Sequence, residues 1–193
     1  MATTNPTDPN KIRLTGENSF IRFSDPASNQ QTTRSSHWRV LWSPGGAGHV
    51  LFLQSELTDN QVSIYSDNIA LARWLQEEIE TFLYPDFADL STQVIEAEFA
   101  KKGDGVNFWT ETVESDDDVI ALTWHDFMEP YMLVVPAGTN GRAHGVYSCF
   151  IPARKAQLTI NGELASGIVT TDRRGDKDSS SACLAWSETW VRP

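Results

Sequence analysis

Clusters of turn-forming residues interrupt this chain at intervals of ten or so positions, and that spacing constrains the fold more than any other feature. Pro44-Gly45-Gly46, Asp59-Asn60, residues 101–105, residues 114–118 and Asn161-Gly162 each gather the glycine, proline, asparagine, aspartate or serine that tight turns use. Intervals of that length suit short strands joined as hairpins. No alternation of strands with crossover helices is present, so a parallel α/β sheet is not expected.

Strand-like runs occupy residues 12–23, 37–42, 49–56, 61–65, 93–99, 106–113, 119–127, 131–135, 143–151, 157–160, 164–169 and 181–191. The polar stretches 1–10 and 24–36 read as a flexible tail and a loop. One segment has a helical period instead. Ile69, Ala72, Leu75, Ile79, Phe82 and Leu83 recur at three- and four-residue spacing behind a Ser66 or Asp67 cap and stop at Pro85. That spacing predicts a helix over about residues 68–83, with Arg73, Gln76, Glu77 and Glu80 on its polar side. The expected architecture is α+β and mainly β: one domain over 1–193, an antiparallel meander closing into a barrel-like sheet, with the internal helix covering a mouth or a side.

Charge narrows the function. Twenty-six acids against fifteen bases leave a net charge of -11, which argues against a nucleic-acid partner, because phosphate binding needs a basic stripe. No apolar run approaches the roughly 18 residues of a membrane helix. The N-terminus lacks an apolar stretch after basic residues. A cytoplasmic protein without a membrane partner is therefore expected. Cys149 and Cys183 lie in apolar runs and read as small reduced core residues, a disulfide between neighbouring strands staying open. His37, His49, His125 and His144 are too scattered for zinc spacing, Asp116-Asp117-Asp118 lacks the glycine of a calcium loop, and Gly45-Gly46-Ala47-Gly48 has no helix after it. Neither metal nor cofactor is expected.

Candidate chemistry comes from a repeated pair. Trp109-Thr110-Glu111, Trp124-His125-Asp126 and Trp186-Ser187-Glu188 each place an acid two residues after a tryptophan, where composition alone gives roughly one such match. Residues i and i+2 of a strand share a face, so each acid can lie against an indole, and a carboxyl desolvated there has a raised pKa. Glu111, Asp126 and Glu188 are thus the candidate acid/base groups, with Trp109, Trp124, Trp186 and Trp190 to position a substrate. The last strand puts Leu184, Trp186, Glu188 and Trp190 on one face. His144 is the candidate acid/base partner, whereas His125 points away from Asp126.

The meander, the hairpin Ile160-Asn161-Gly162-Glu163-Leu164-Ala165-Ser166-Gly167 and the long final strand resemble the bacterial lipocalin-like (calycin) proteins of the carotenoid-hydratase type. The resemblance covers the C-terminal half, and the helix departs from it. It implies an apolar cavity for a small hydrophobic molecule and transfers no catalytic residue. The leading expectation is a small cofactor-independent lyase, hydratase or isomerase acting on a small hydrophobic or aromatic molecule in a Trp-lined barrel pocket. A carrier or sensor with the same pocket, or a structural domain without one, are the alternatives; homodimer formation stays open.

Overall fold

The computed structural model describes residues 11–192, and the tail read over 1–10 lies outside them. In chain order the strands are β1 (Ile12–Ser24), β2 (Gln31–Trp42), β3 (Gly48–Ser55), β4 (Val62–Ser66), β5 (Val94–Glu96), β6 (Glu98–Gly103), β7 (Phe108–Glu114), β8 (Val119–Phe127), β9 (Tyr131–Val135), β10 (Gly145–Ile160), β11 (Glu163–Leu164), β12 (Thr171–Arg174), β13 (Lys177–Ser180) and β14 (Ala182–Val191). Between β4 and β5, helix α1 (Ile69–Leu75) continues through a π-helical turn (Gln76–Glu80) into α2 (Thr81–Leu83), 15 residues in all.

The protein is mostly β, with a nearly closed barrel-shaped sheet and one unsealed seam. The bonded path runs β5-β4-β3-β2-β1-β14-β10-β8-β7-β6, with β9 and β11 on β10, and β12-β13 as a separate hairpin. Its two ends, β5 and β6, follow one another in the chain with only Ala97 between, so the sheet must curl until its edges meet. Side chains bridge the open edge. Phe99 of β6 stacks on His49 of β3 at 5.1 Å, and Tyr65 Oη donates to Asp118 Oδ2 at 2.7 Å. The pairing of β4 with β5 is parallel and departs from the expected antiparallel meander.

Alternation sends side chains to two cores. Ile21, Leu51, Leu53, Val113, Leu122, Trp124, Ile151 and Leu184, drawn from strands all around the path, fill the lumen. The opposite faces of β1 to β4 carry Leu14, Trp38, Val40, Val50, Phe52 and Ile64, and the helix covers them with Leu71, Ala72, Leu75 and Ile79. The helix therefore lies on the outer wall. Gln76 and Glu80, expected on its polar side, are fully buried, because they continue the stripe begun by Ala72 at four-residue steps.

Other boundaries shift for local reasons. The loop expected over 24–36 shrinks, since residues 31–36 belong to β2: their buried hydroxyls are satisfied, Thr33 by Ser55 and Ser36 by Glu80. The separate strands expected at 143–151 and 157–160 are one, β10, which exchanges partners midway from β9 and β14 to β8. The strand expected over 164–169 amounts to β11, and the polar hairpin of β12 and β13 follows it.

At Gly16 the backbones of β1 and β2 run so close that a Cβ would stand 2.3 Å from the Arg39 carbonyl oxygen. That oxygen, like the Val40 Cα at 2.9 Å, is backbone and not a flexible side-chain end. Gly16→Ala should therefore cost about 1–3 kcal/mol, lowering Tm by roughly 2–10 °C in a calorimetric scan. An unchanged Tm would show that the two strands can part there.

Candidate functional site

One extra residue in β14 decides what faces the outer wall. The register of β14 shifts by one against β10 between Trp186 and Thr189 and against β1 between Cys183 and Glu188, and Ser187 sits at φ 53. This is a β-bulge, which re-aims the side chains beyond it. Before the bulge, Leu184 and Trp186 pack on the lumen side; after it, Trp190 joins the outer-wall core. The single face expected for Leu184, Trp186, Glu188 and Trp190 is thus split. Glu188 pairs with Trp190 instead, whose Nε1 donates to its Oε1 at 2.6 Å.

Glu188 is only 4% exposed. Desolvation raises its pKa to about 7, although hydrogen bonds from Trp190 and Ser148 and the Arg142 charge pull the other way. A second buried carboxylate stands behind the same wall. Glu80 accepts from Trp38 Nε1 at 2.7 Å and from Ser36 Oγ at 3.0 Å, while its Oε2 is unpartnered. Burial and, further down, the Glu188 charge raise it to about 8, against those hydrogen bonds. The π-helical turn that ends at Glu80 is a geometry frequent at functional sites.

Glu188 lines a cleft of about 330 Å³ on the outside of the barrel. Leu83 and Tyr84 close it from the helix end, Leu133 and Val135 from β9, and Asn140 and Arg142 from the following loop; Phe20, Val146, Phe150 and Trp190 form the apolar wall. Asn18 links the cleft to Glu80, since its Nδ2 donates to Ser36 Oγ at 2.9 Å. Arg22, Arg142 and Arg174 enter from three separate segments, each with its guanidinium over an aromatic ring: Phe20 at 5.1 Å, Trp190 at 5.7 Å and Phe150 at 5.4 Å.

The other candidates from the sequence lie elsewhere. Glu111 is buried on the lumen side, where Trp109 Nε1 donates to its Oε1 at 2.7 Å and burial raises it to about 7. The Arg39–Glu17 ion pair and Lys101 act on it from a distance, and His37, buried against Phe99, has its pKa driven down to about 3 by desolvation. Trp186 packs edge-on against Trp109 at 5.2 Å. Trp124 is core, donating to the Phe20 carbonyl. Asp126 turns outward at φ 58 and faces Arg154 and Lys155 in water, so it shares no site with Trp124. His144 is buried behind Trp190, with Nε2 on Glu78 at 3.0 Å, and does not line the cleft. Of the seven residues singled out besides Glu188, only Trp190 joins it there.

Sequence reasoning missed Glu80, Asn18 and the three arginines. Glu80 had a signal, its place on the buried helical stripe. Among the described residues no group of three or more His, Cys, Asp or Glu side chains is placed to hold a metal. Compared with known proteins, the chain matches no family model, no curated protein and no solved structure.

Glu80, Glu111 and Glu188 all have folded pKa values above the ordinary 4.5, so the fold binds protons more tightly than the unfolded chain does between about 4.5 and 8. Their stabilising contribution is full below 4.5 and is lost as pH rises through 7–8. Tm should fall between pH 5 and 8.5, and Glu80→Gln, neutral throughout, should show the shallower slope. Parallel Tm–pH curves for the two proteins would contradict the raised pKa of Glu80.

Proposed function

We propose that this protein is a small cofactor-independent enzyme of the lyase, hydratase or isomerase type. It takes a small hydrophobic or aromatic molecule in the outer-wall cleft and uses Glu188 as its acid/base group. The observation that carries this reading is a buried carboxylate at the wall of a cleft, with a proton affinity near neutrality. A group balanced between its two forms can give a proton to a substrate and take one back at the same pH. Phe20, Phe150 and Trp190 would hold the apolar body and exclude water, and Trp190 Nε1 keeps Glu188 Oε1 in place. The resemblance of residues 160–167 and the last strand to lipocalin-like proteins also implies a small apolar ligand. Two free thiols, Cys149 and Cys183, suit a reducing compartment such as the cytoplasm.

A carrier would use the same cleft without chemistry. What favours catalysis is that a binding wall gains little from a carboxylate whose desolvation opposes folding, so a group kept there despite that cost has a task. Carbon-detected NMR titration of the carboxyl groups should give Glu188 a midpoint near 7. In a screen of small aromatic and unsaturated compounds, Glu188→Gln should lose at least about 100-fold in kcat wherever the wild type turns one over. A Glu188 midpoint in the ordinary carboxylate range, or turnover unaffected by Glu188→Gln, would overturn the assignment.

A further inference from the structure

We infer that the ligand of this cleft is an organic monocarboxylate, its charged end bound by Arg22, Arg142 and Arg174 and its aromatic or aliphatic body laid along Phe20, Phe150 and Trp190. The inference rests on the reading of the cleft as the substrate site, and it names the substrate class.

The first support is where this acidic chain leaves cations unpaired. Of its ten arginines, Arg13, Arg34, Arg39, Arg154, Arg173 and Arg192 each pair with a carboxylate. Arg73 is held by Gln76 Oε1 and the Thr92 carbonyl. The remaining three are the ones that line the cleft, and among the described residues none of them has an ion pair or a side-chain hydrogen bond. In a protein of net charge -11, three unpaired guanidiniums around one concavity are not what surface composition supplies.

The second support is how they are held. Each guanidinium rests over an aromatic ring of the cleft, a contact that uses its face and no N–H group. Arg22 Nε is buried without a partner, and burial weakens the protonation of Arg142. A carboxylate between them would satisfy these donors in the bidentate geometry that guanidinium offers. Glu188, the only acid among the described residues that line the cleft, leaves their summed charge positive in either protonation state. The volume, about 330 Å³, is at the small end of ligand sites, and Phe20, Phe150 and Trp190 give it an apolar side beside the arginines, which suits a compact acid with an apolar body.

The test is binding to the full chain, followed by nitrogen-edited NMR and calorimetry, with matched pairs: cinnamate against cinnamamide, octanoate against octanamide, and inorganic phosphate as an anion without a body. The acids should bind in the cleft at least about 10-fold more tightly than the amides, and Arg174→Gln and Arg142→Gln should each weaken the acids about 10-fold or more while leaving the amides unchanged. Arg174 is exposed, so its variant tests binding without threatening the fold. Equal affinity for acid and amide, acids indifferent to both arginine variants, phosphate bound as well as the acids, or no acid bound at millimolar concentration would each overturn the inference. Acids that bind through the arginines yet are never turned over would sink the enzyme reading alone and leave a carboxylate carrier. Turnover of the amides with no preference for acids would do the reverse.

Discussion

The hydrogen bond from Trp38 Nε1 to Glu80 Oε1 ties the helix to the barrel at a carboxyl group buried between them, within the apolar contact of Leu71, Leu75 and Ile79 with the wall. A buried carboxylate without donors would cost several kcal/mol, so Glu80 can lie against the wall only where the indole N–H and the Ser36 hydroxyl meet it. The same indole packs against Trp190 at 6.2 Å, and Trp190 holds Glu188. Two indole–carboxylate pairs thus stand side by side, one anchoring the cover and one facing the cleft.

Much of this was legible in the sequence, and the reasons for the rest are specific. Turn spacing located most strands, and hydrophobic period located the helix, because both follow from local alternation. The rule that i and i+2 share a face holds for Trp109 and Glu111, whose side chains are hydrogen-bonded. It breaks at Ser187, since nothing in Trp-Ser-Glu-Thr-Trp announces a serine at positive φ. The bulge is imposed by the neighbours of β14, whose pairing partners lie far off in sequence. Glu80 was misplaced for the opposite reason: its spacing put it on the buried stripe, but its charge spoke for the surface. Arg22, Arg142 and Arg174 belong to β1, the loop after β9 and β12, and no local rule joins them. Arg22 and Arg142 meet through the path that sets β1, β14 and β10 side by side, and Arg174 comes to them on the separate β12–β13 hairpin.

The location of the cleft follows from how the two faces of the sheet are filled. The lumen is taken up by large side chains, Trp124, Trp109 and Trp186 among them, so an internal cavity of useful size would require giving up the core that closes the barrel. The outer wall is too broad for one helix of 15 residues to cover. Its cover ends where Tyr84 leaves helical geometry ahead of Pro85, and the remaining wall, Phe20 and Phe150, is partly sheltered by β9. Between the end of one cover and the edge of the other lies a gap with apolar backing and an opening to water. Desolvation there is deep enough to raise Glu188 and weaken Arg142, while the gap itself stays open to water. A closed lumen gives the first condition without the second, and an open surface the second without the first.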